Sequence, residues 1–521
     1  MTLVTHRDYG ATWDEGLQAR YGELALRYFA SGGTDTACNT FEDLRFYNPL
    51  VEMVPALFYD AQDPERFRIR HLYLGLLASL CIPLVWGFAR RLGDPLAALC
   101  GVLSLATLPR FYGHWHNNSK DLPFAVAFAG FLWAATRWLG HDRLPWQRAL
   151  VGGLAGGAVL AVRPGGLPLL VAFAGLAAVV GRLSADRRET AMPLGTAGRR
   201  LAAQIPVALA IAWVLMVLPW PWAHEQPLRH PLQAMQVATD FTTTVPVLFD
   251  GATIASDKLP RSYMARYVLI GTPLTVLVLA ALGVLRGLAT QRPPWRGASG
   301  GAFVMTTAWL LVPLLLFAVL RPNVYGGMRH FLFVLPALAI LAGYGASWLP
   351  RVAAGRLSRG ALTAAALALV ALPATTAVRL HPYQMTYYNA LVGGVAGASR
   401  DYWTDYWLAS YREAIHWVNA RAAEHPERLT IAVLGIGDPG MLWAQTYAAE
   451  NVQLVRLAEA RQQRPSLAPA DYYIGSTRNG LDRHYPDAAV AHSIGRDGAV
   501  FTVIRQAPTA NEGDAPNGDG R

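Results

Sequence analysis

Ten apolar runs divide this chain, each long enough, or nearly so, to cross a hydrocarbon core of roughly 30 Å. They fall at about 70–89, 94–110, 122–139, 148–163, 166–183, 201–222, 265–285, 301–320, 331–349 and 360–379. A chain patterned this way must bury its backbone polar groups within helices, which predicts an α-helical polytopic membrane protein of about 10 spans. Only 15% of the 521 residues are charged, against roughly 25% in a soluble domain. Several runs are short or hold Gly and Pro, and the fourth and fifth equally suit a re-entrant pair.

The net charge is +10, but its distribution speaks against nucleic acid, which requires a basic patch or stripe. Most arginines sit instead in short loops between the runs. Alternate loops hold Arg90 and Arg91; Arg137, Arg143 and Arg148; Arg182, Arg187, Arg188, Arg199 and Arg200; Arg286, Arg292 and Arg296; and Arg351, Arg356 and Arg359. By the positive-inside rule these loops face the cytoplasm. The N-terminal region, the loops at 111–121 and 321–330, the stretch after Trp222 and everything beyond about 380 then face outside. An external N-terminal loop ordinarily follows a span that carries it across, so a first span is expected upstream of the present Met1. Cys38, Cys81 and Cys100 have no metal spacing and leave the redox compartment open.

Residues 1–69 read as an extracytoplasmic loop with interfacial helices. Leu17, Tyr21, Leu24 and Tyr28 share one helical face. A second stripe joins Leu50, Met53, Val54, Leu57 and Phe58, with Pro55 expected to kink or divide it. The spans occupy 70–380. Residues 381–507 read as a small extracytoplasmic α/β domain: a helix at about 406–423, strands at 429–434 and 452–457, and a closing pair near 471–474 and 499–504. The tail at 508–521 has the composition of a disordered segment.

The external loops are rich in polar groups. Asp14 and Glu15 stand just ahead of an amphipathic helix, as a general base with a supporting carboxylate or as helix N-terminal acids that complement the dipole. The loop from Pro109 to Pro123 carries Arg110, His114, His116, Lys120 and Asp121. Asp121 is placed to cap the following span, and Arg110 and Lys120 to anchor helix ends at headgroup level. Two histidines two apart, with no third ligand at fixed spacing, are a weak zinc signal; external acids leave room for a divalent metal on oxygen ligands. Arg329, His330 and Arg163, with Lys120 and Arg110 at the same face, suit an anionic headgroup whose lipid tail lies in the bilayer. The glycines of GIGDPG at 435–440 meet the letter of a dinucleotide fingerprint, but an external domain with room for one such unit makes them turn glycines.

Four segments together carry a resemblance. TWDEGLQARYGE at 12–23, PRFYGH with NNSKDLPF at 109–124, RHFLFVLP at 329–336, and HPYQMTYYNALVGG at 381–394 with DYW at 405–407 resemble bacterial polytopic C-type glycosyltransferases. These are relatives of protein O-mannosyltransferases and of the aminoarabinose transferases that modify lipid A. The resemblance runs over roughly residues 9–420. It implies a transferase of the bacterial cytoplasmic membrane, active on the extracytoplasmic side. Its donor would be a polyprenyl-phosphate-linked sugar and its acceptor a lipid, glycan or protein, with membrane lipids around the bundle and no cofactor. Carried onto this chain, it implies Asp14 as the base, with Glu15 beside it. Lys120 would meet the donor phosphate, Asp121 would meet the acceptor or orient Lys120, and Arg329 would be the next phosphate ligand.

Two other readings compete. A transporter or flippase for a lipid-linked or anionic solute would carry ionisable groups near the midplane of broken helices, whereas here they gather in external loops. A noncatalytic envelope-assembly subunit would have lost its activity with its first helix.

Overall fold

In a computed structural model the described residues are 1–60, 63, 65–138, 145–184, 194–239, 244–291, 297–352, 358–424, 428–435, 438–457 and 470–507. Arg143, Arg187, Arg188, Arg292, Arg296, Arg356, Ile436, Gly437 and the 508–521 tail lie outside them. Among the described residues, five helices are long and apolar enough to cross a membrane: Arg66–Leu92, Pro164–Gly181, Gly297–Leu320, Arg329–Val352 and Arg359–Arg379. Tyr263–Ile270 and Leu274–Thr290, bent by 112° at their junction, make a sixth if taken as one span. The other four runs form the shorter apolar helices Pro95–Thr107, Asp121–Thr136, Trp146–Val162 and Ala203–Val217. The chain is therefore a helical membrane protein in which the ten apolar runs appear as helices, five or six of them of full spanning length. A sharp bend falls at 271–273. The fourth and fifth runs are separated at Arg163, whose backbone is extended; Pro145–Val162 packs on Leu194–Val217 and Leu167–Ser184 on Gly297–Leu320, and both touch Asp121–Trp138.

The bundle is built around Leu335–Ala346, all twelve of whose residues are buried. It lies between Leu274–Thr290 and Pro95–Thr107. Small residues permit this, since apolar helices in lipid associate through close packing of backbones. A Cβ on Gly343 would come 2.3 Å from the Gly101 nitrogen, and one on Gly345 would come 2.0 Å from the Leu279 carbonyl oxygen. Gly343→Ala should therefore force the central helix away from its neighbour and cost about 1–3 kcal/mol, read as a lower Tm in detergent.

Helix direction separates two ends of the bundle. At one end are Arg91 on Thr136, Arg351 on Asp94, and Arg286 on the Tyr344 carbonyl and Ser347. At the other are the N-terminal region, the 109–121 and 321–330 loops, and the C-terminal sheet domain. The Glu15–Ala30 helix does not lie alone on a surface: it packs on Leu50–Ala56 and on the Asp438–Tyr447 helix of the C-terminal domain. The second helix ends at Ala56, with Pro55 in its last turn, and leaves Leu57 and Phe58 exposed.

After Trp222 the chain forms a hairpin, β1 (Pro246–Phe249) and β2 (Ala252–Ala255). Asp250 and Gly251 turn it with φ of 57° and 77°, the left-handed pair that two-residue hairpins need. The C-terminal sheet comprises β3 (Leu429–Leu434), β4 (Val452–Leu457), β5 (Tyr472–Ser476), β6 (Ala489–Arg496) and β7 (Ala499–Gln506), in the order β4-β3-β5-β7-β6. β3 is parallel to β4 and β5, and β7 is antiparallel to β5 and β6. β6 was not expected from the sequence. Only Ile494 of its eight residues is buried, so it lacks the alternation that marks a half-buried strand. The helix expected from about 406 starts at Tyr411. Asp405 accepts from the Ala409 and Ser410 nitrogens and the Ser410 hydroxyl, and Leu408 has φ of 57°, so 405–410 is a tight loop. Gly435, with φ of 77°, supplies the turn after β3.

Candidate active site

The five side-chain oxygens of Thr12, Asp14 and Glu15 are sorted in opposite directions within one short stretch. Asp14 occupies the N-cap position of the Glu15–Ala30 helix yet makes no side-chain cap. Its Oδ1 accepts the Thr12 hydroxyl at 2.9 Å and its Oδ2 accepts the Gln18 amide at 2.8 Å. The reading of Asp14 as a simple helix cap is thus not realised. Glu15 turns inward instead. Fully buried, it accepts the Thr12 N–H at 2.8 Å, the half of a capping box that reaches backward, and lies 3.0 Å from His71 Nε2 and 3.9 Å from Arg70 Nε. The structure does not place Glu15 in the cleft with Asp14: its oxygens are committed to the protein interior.

Asp121 is the hub of the second loop. Its capping role passes to Asn118, whose Oδ1 accepts the Asp121 N–H at 2.8 Å. The Asp121 carboxylate is left to pair with Arg163, to take the Asn118 amide at 3.0 Å, and to face Arg329 at 3.8 Å. It does not orient Lys120. The Lys120 ammonium stands 4.6 Å from the centre of the Tyr47 ring, at a small cavity also lined by Gln18, Glu52 and Ser119.

Arg329 is buried among the rings of Tyr325, Tyr406 and Trp407, its guanidinium carbon 4.7, 5.4 and 4.9 Å from their centres. The Nε atoms of Arg163 and Arg329 and the Nε2 of His330 are buried without a hydrogen-bond partner. His330 rests edge-on to Tyr325. Such unanswered nitrogens are uncommon in a folded interior; here three of them gather around Asp121, and the two on the arginines are donors. Lys120 and Arg329 both act on Asp14, whose carboxyl burial pushes up from its ordinary value against the pull of those two cations. Three cations thus face two carboxylates, one of which is already neutralised. That donor set suits an anion better than a divalent cation, which needs several free oxygens.

The structure does not bring Arg110 into this cluster. Its Nε donates to the Tyr387 carbonyl at 2.6 Å and its guanidinium stacks on Tyr388 at 4.2 Å. It clamps the 381–394 strap, where Gly113 is so close that a Cβ would come 2.1 Å from the Met385 nitrogen. His114 and His116 are buried, which lowers both to about 3 and leaves them neutral. His116 meets Thr5 and the His71 carbonyl, and His114 lies against Asn118 and Trp407.

Several residues of the site were not singled out from the sequence. Gln18 lies one helical turn beyond Asp14, and that spacing alone could have found it. Arg478 comes from the C-terminal domain and packs over Trp13, Trp403 and Tyr406, at 5.5, 5.7 and 4.7 Å. Its approach to the first loop depends on the fold, as does the bond from the Trp13 N–H to the Trp407 carbonyl. Glu15→Ala should cost about 3–5 kcal/mol, because it takes one of two carboxylates from the buried Arg70 and leaves the His71 Nε2 and the Thr12 N–H without their partner. Thermal unfolding checks this.

No protein-family model matches the sequence, and no curated protein matches it. Among solved structures, ArnT from Cupriavidus metallidurans in the apo state aligns with a TM-score of 0.46 at 16% identity, over 94% of this chain and 95% of that one. The same protein bound to undecaprenyl phosphate gives 0.44, with the same identity and coverage. The archaeal oligosaccharyltransferase AglB from Archaeoglobus fulgidus, in complex with an inhibitory peptide and a dolichol-phosphate, gives 0.45 at 14% identity, over 86% of this chain and 61% of that one.

Proposed function

We propose that this membrane protein is a glycosyltransferase that moves a sugar from a polyprenyl-phosphate-linked donor to an acceptor on the extracytoplasmic side. The observation that carries the reading is the juxtaposition of a carboxylate without a direct salt bridge among the described residues, Asp14, and a cluster of cations, Lys120, Arg329 and Arg163, the two arginines with an unanswered Nε each, at one end of an apolar bundle. Transfer from a phosphate-linked sugar needs those two things together. A base must take the proton of the acceptor hydroxyl or amine as its oxygen or nitrogen attacks the anomeric carbon. Fixed cations must meet the phosphate oxygen as the bond to the sugar breaks and charge gathers there.

In this reading Asp14 is the base. Lys120 and Arg329 take the leaving phosphate, with Arg163 and His330 beside them. Asp121 holds the two arginines in place and touches neither substrate. Glu15 fixes the loop that presents Asp14. The ring walls of Tyr325, Tyr406 and Trp407 keep the Arg329 guanidinium oriented before substrate arrives, so little reorganisation is needed at the moment of reaction. The prenyl chain would lie in lipid along the bundle, where Leu311, Leu315 and Val319 of one helix are exposed. The arginines at the far end, among them Arg91, Arg286 and Arg351, support a cytoplasmic assignment for that end and an outside assignment for the site.

The test is transfer of label from radiolabelled polyprenyl-phosphate sugars in membranes carrying the protein. Label should pass to an acceptor and polyprenyl phosphate should accumulate. Inserted, folded protein that takes label from none of the common pentose and hexose donors would overturn the reading.

A further inference from the structure

Behind Asp14 runs a chain of short hydrogen bonds that the reaction as described does not use. The Gln18 amide nitrogen lies 2.8 Å from Asp14 Oδ2; its oxygen lies 2.6 Å from the Ser119 hydroxyl; and the same hydroxyl lies 2.6 Å from Glu52 Oε1. Glu52 is buried, and its other oxygen meets Arg70 at 2.5 Å. A hydroxyl has one proton to give. Ser119 cannot donate to both the Gln18 oxygen and an ionised Glu52, so the chain closes only if it holds one further proton.

That proton has two places to sit. With Gln18 donating to an ionised Asp14, Ser119 donates to the Gln18 oxygen and a protonated Glu52 donates to Ser119. With the Gln18 amide turned over, a protonated Asp14 donates to the Gln18 oxygen, the Gln18 nitrogen donates to Ser119, and Ser119 donates to an ionised Glu52 beside Arg70. The two arrangements have the same atoms and the same net charge, and differ in which carboxyl carries the proton. We propose that Glu52 shares one proton with Asp14 through Gln18 and Ser119. The shared proton moves inward to Glu52 before transfer, which leaves Asp14 ionised to take the acceptor's proton; that second proton leaves Asp14 for solvent or the departing phosphate, outside the chain.

The proposal rests on Asp14 being the base. Around Asp14 the charged and titratable groups are Lys120, Arg329, Glu15 and Tyr406; around Glu52 they are Arg70, Tyr21, Tyr59 and Tyr73. Burial already favours a neutral Asp14, while Glu52 has Arg70 against its other oxygen, so the proposed resting arrangement has the proton on the Asp14 side. Glu52 and Ser119 also line the cavity that holds Lys120, which joins this relay to the phosphate end of the site.

The sign of the test follows from Glu52→Gln. A glutamine there donates permanently to Ser119, which fixes Ser119 on the Gln18 oxygen and the Gln18 amide on an ionised Asp14. The acid limb of the pH–rate profile should move to lower pH by at least about one unit, which is a tenfold gain in the ionised fraction, with donor KM unchanged. Ser119→Ala cuts the chain and leaves Arg70 its partner. It should lower kcat about tenfold or more, again with donor KM unchanged, and adding Glu52→Gln to it should shift the limb no further than Ser119→Ala alone. An acid limb unmoved in folded Glu52→Gln, or a Ser119→Ala enzyme with the wild-type kcat and profile, would overturn the relay and mean that Ser119 merely divides one proton between two acceptors. Asp14→Asn retaining turnover would overturn instead the assignment on which the relay rests.

Discussion

Asp14→Asn should lower sugar transfer by about 10²–10⁴-fold, the range that a positioned general base supplies, and should leave the protein as stable as before or more so. The second half of that expectation separates it from an ordinary loss of structure. Asparagine keeps the size of the side chain and can meet the Thr12 hydroxyl and the Gln18 amide, the two groups that hold Asp14 now. Burial raises the Asp14 carboxyl above its unfolded value, so the fold favours the neutral form. Stability is then lost as pH rises through that interval, and a neutral asparagine removes the loss. The Tm of the variant at neutral pH should equal or exceed that of the wild type. The rate of the wild type should fall as pH drops through the raised value, at higher pH than an exposed aspartate would set.

Arg329→Met should lower kcat/KM by about 10²–10³-fold, the usual cost of removing one fixed donor from a developing oxyanion, and weaken binding of polyprenyl phosphate itself. Asp121 retains Arg163 and Asn118 after the change, so the loop it organises has partners left. Arg329→Lys should not rescue the loss. The site holds a planar guanidinium among three rings, and a compact ammonium has neither the plane nor the fork of donors. Arg329 also lowers the Asp14 carboxyl; without it the acid limb should move to higher pH, opposite in direction to Glu52→Gln. Acid limbs that moved the same way in both variants would contradict the electrostatic account of the pair.

The class of the molecule was legible because lipid imposes it: apolar runs have no other way to satisfy their backbones, and all ten are helices. Their full crossing was less legible, since a run such as 94–110 gives the helix Pro95–Thr107, after which Leu108 turns extended and Pro109 opens a separate short helix. In the C-terminal domain, β3 and β4 were read to the residue because both are bounded by clear breaks, while the exposed edge strand β6 left no pattern. The β1–β2 hairpin had its signal in Asp250-Gly251, unread beside so much apolar sequence.

Within the site, the loops that hold Asp14, Lys120, Asp121, Arg163, Arg329 and His330 were evident, and the pairings were not. Glu15, adjacent to Asp14 in sequence, is turned away by one step of helix and belongs to His71 and Arg70. Asp121, adjacent to Lys120, belongs to two arginines from elsewhere in the chain. Arg110 looked like a member of the cluster and is a clamp on the 381–394 strap. Adjacency along the chain fixes which end of the bundle a residue reaches, but the direction of a side chain there is decided by partners brought in by other helices.

The most direct measurement is release of labelled polyprenyl phosphate from a polyprenyl-phosphate sugar by purified protein in lipid, with acceptor present, run on the wild type and on Asp14→Asn beside a donor-binding assay. The account predicts turnover by the wild type, at least a hundredfold less by the variant, and equal donor binding by both. Wild-type turnover in Asp14→Asn, or a folded wild-type protein that neither binds nor cleaves any such donor, would contradict it.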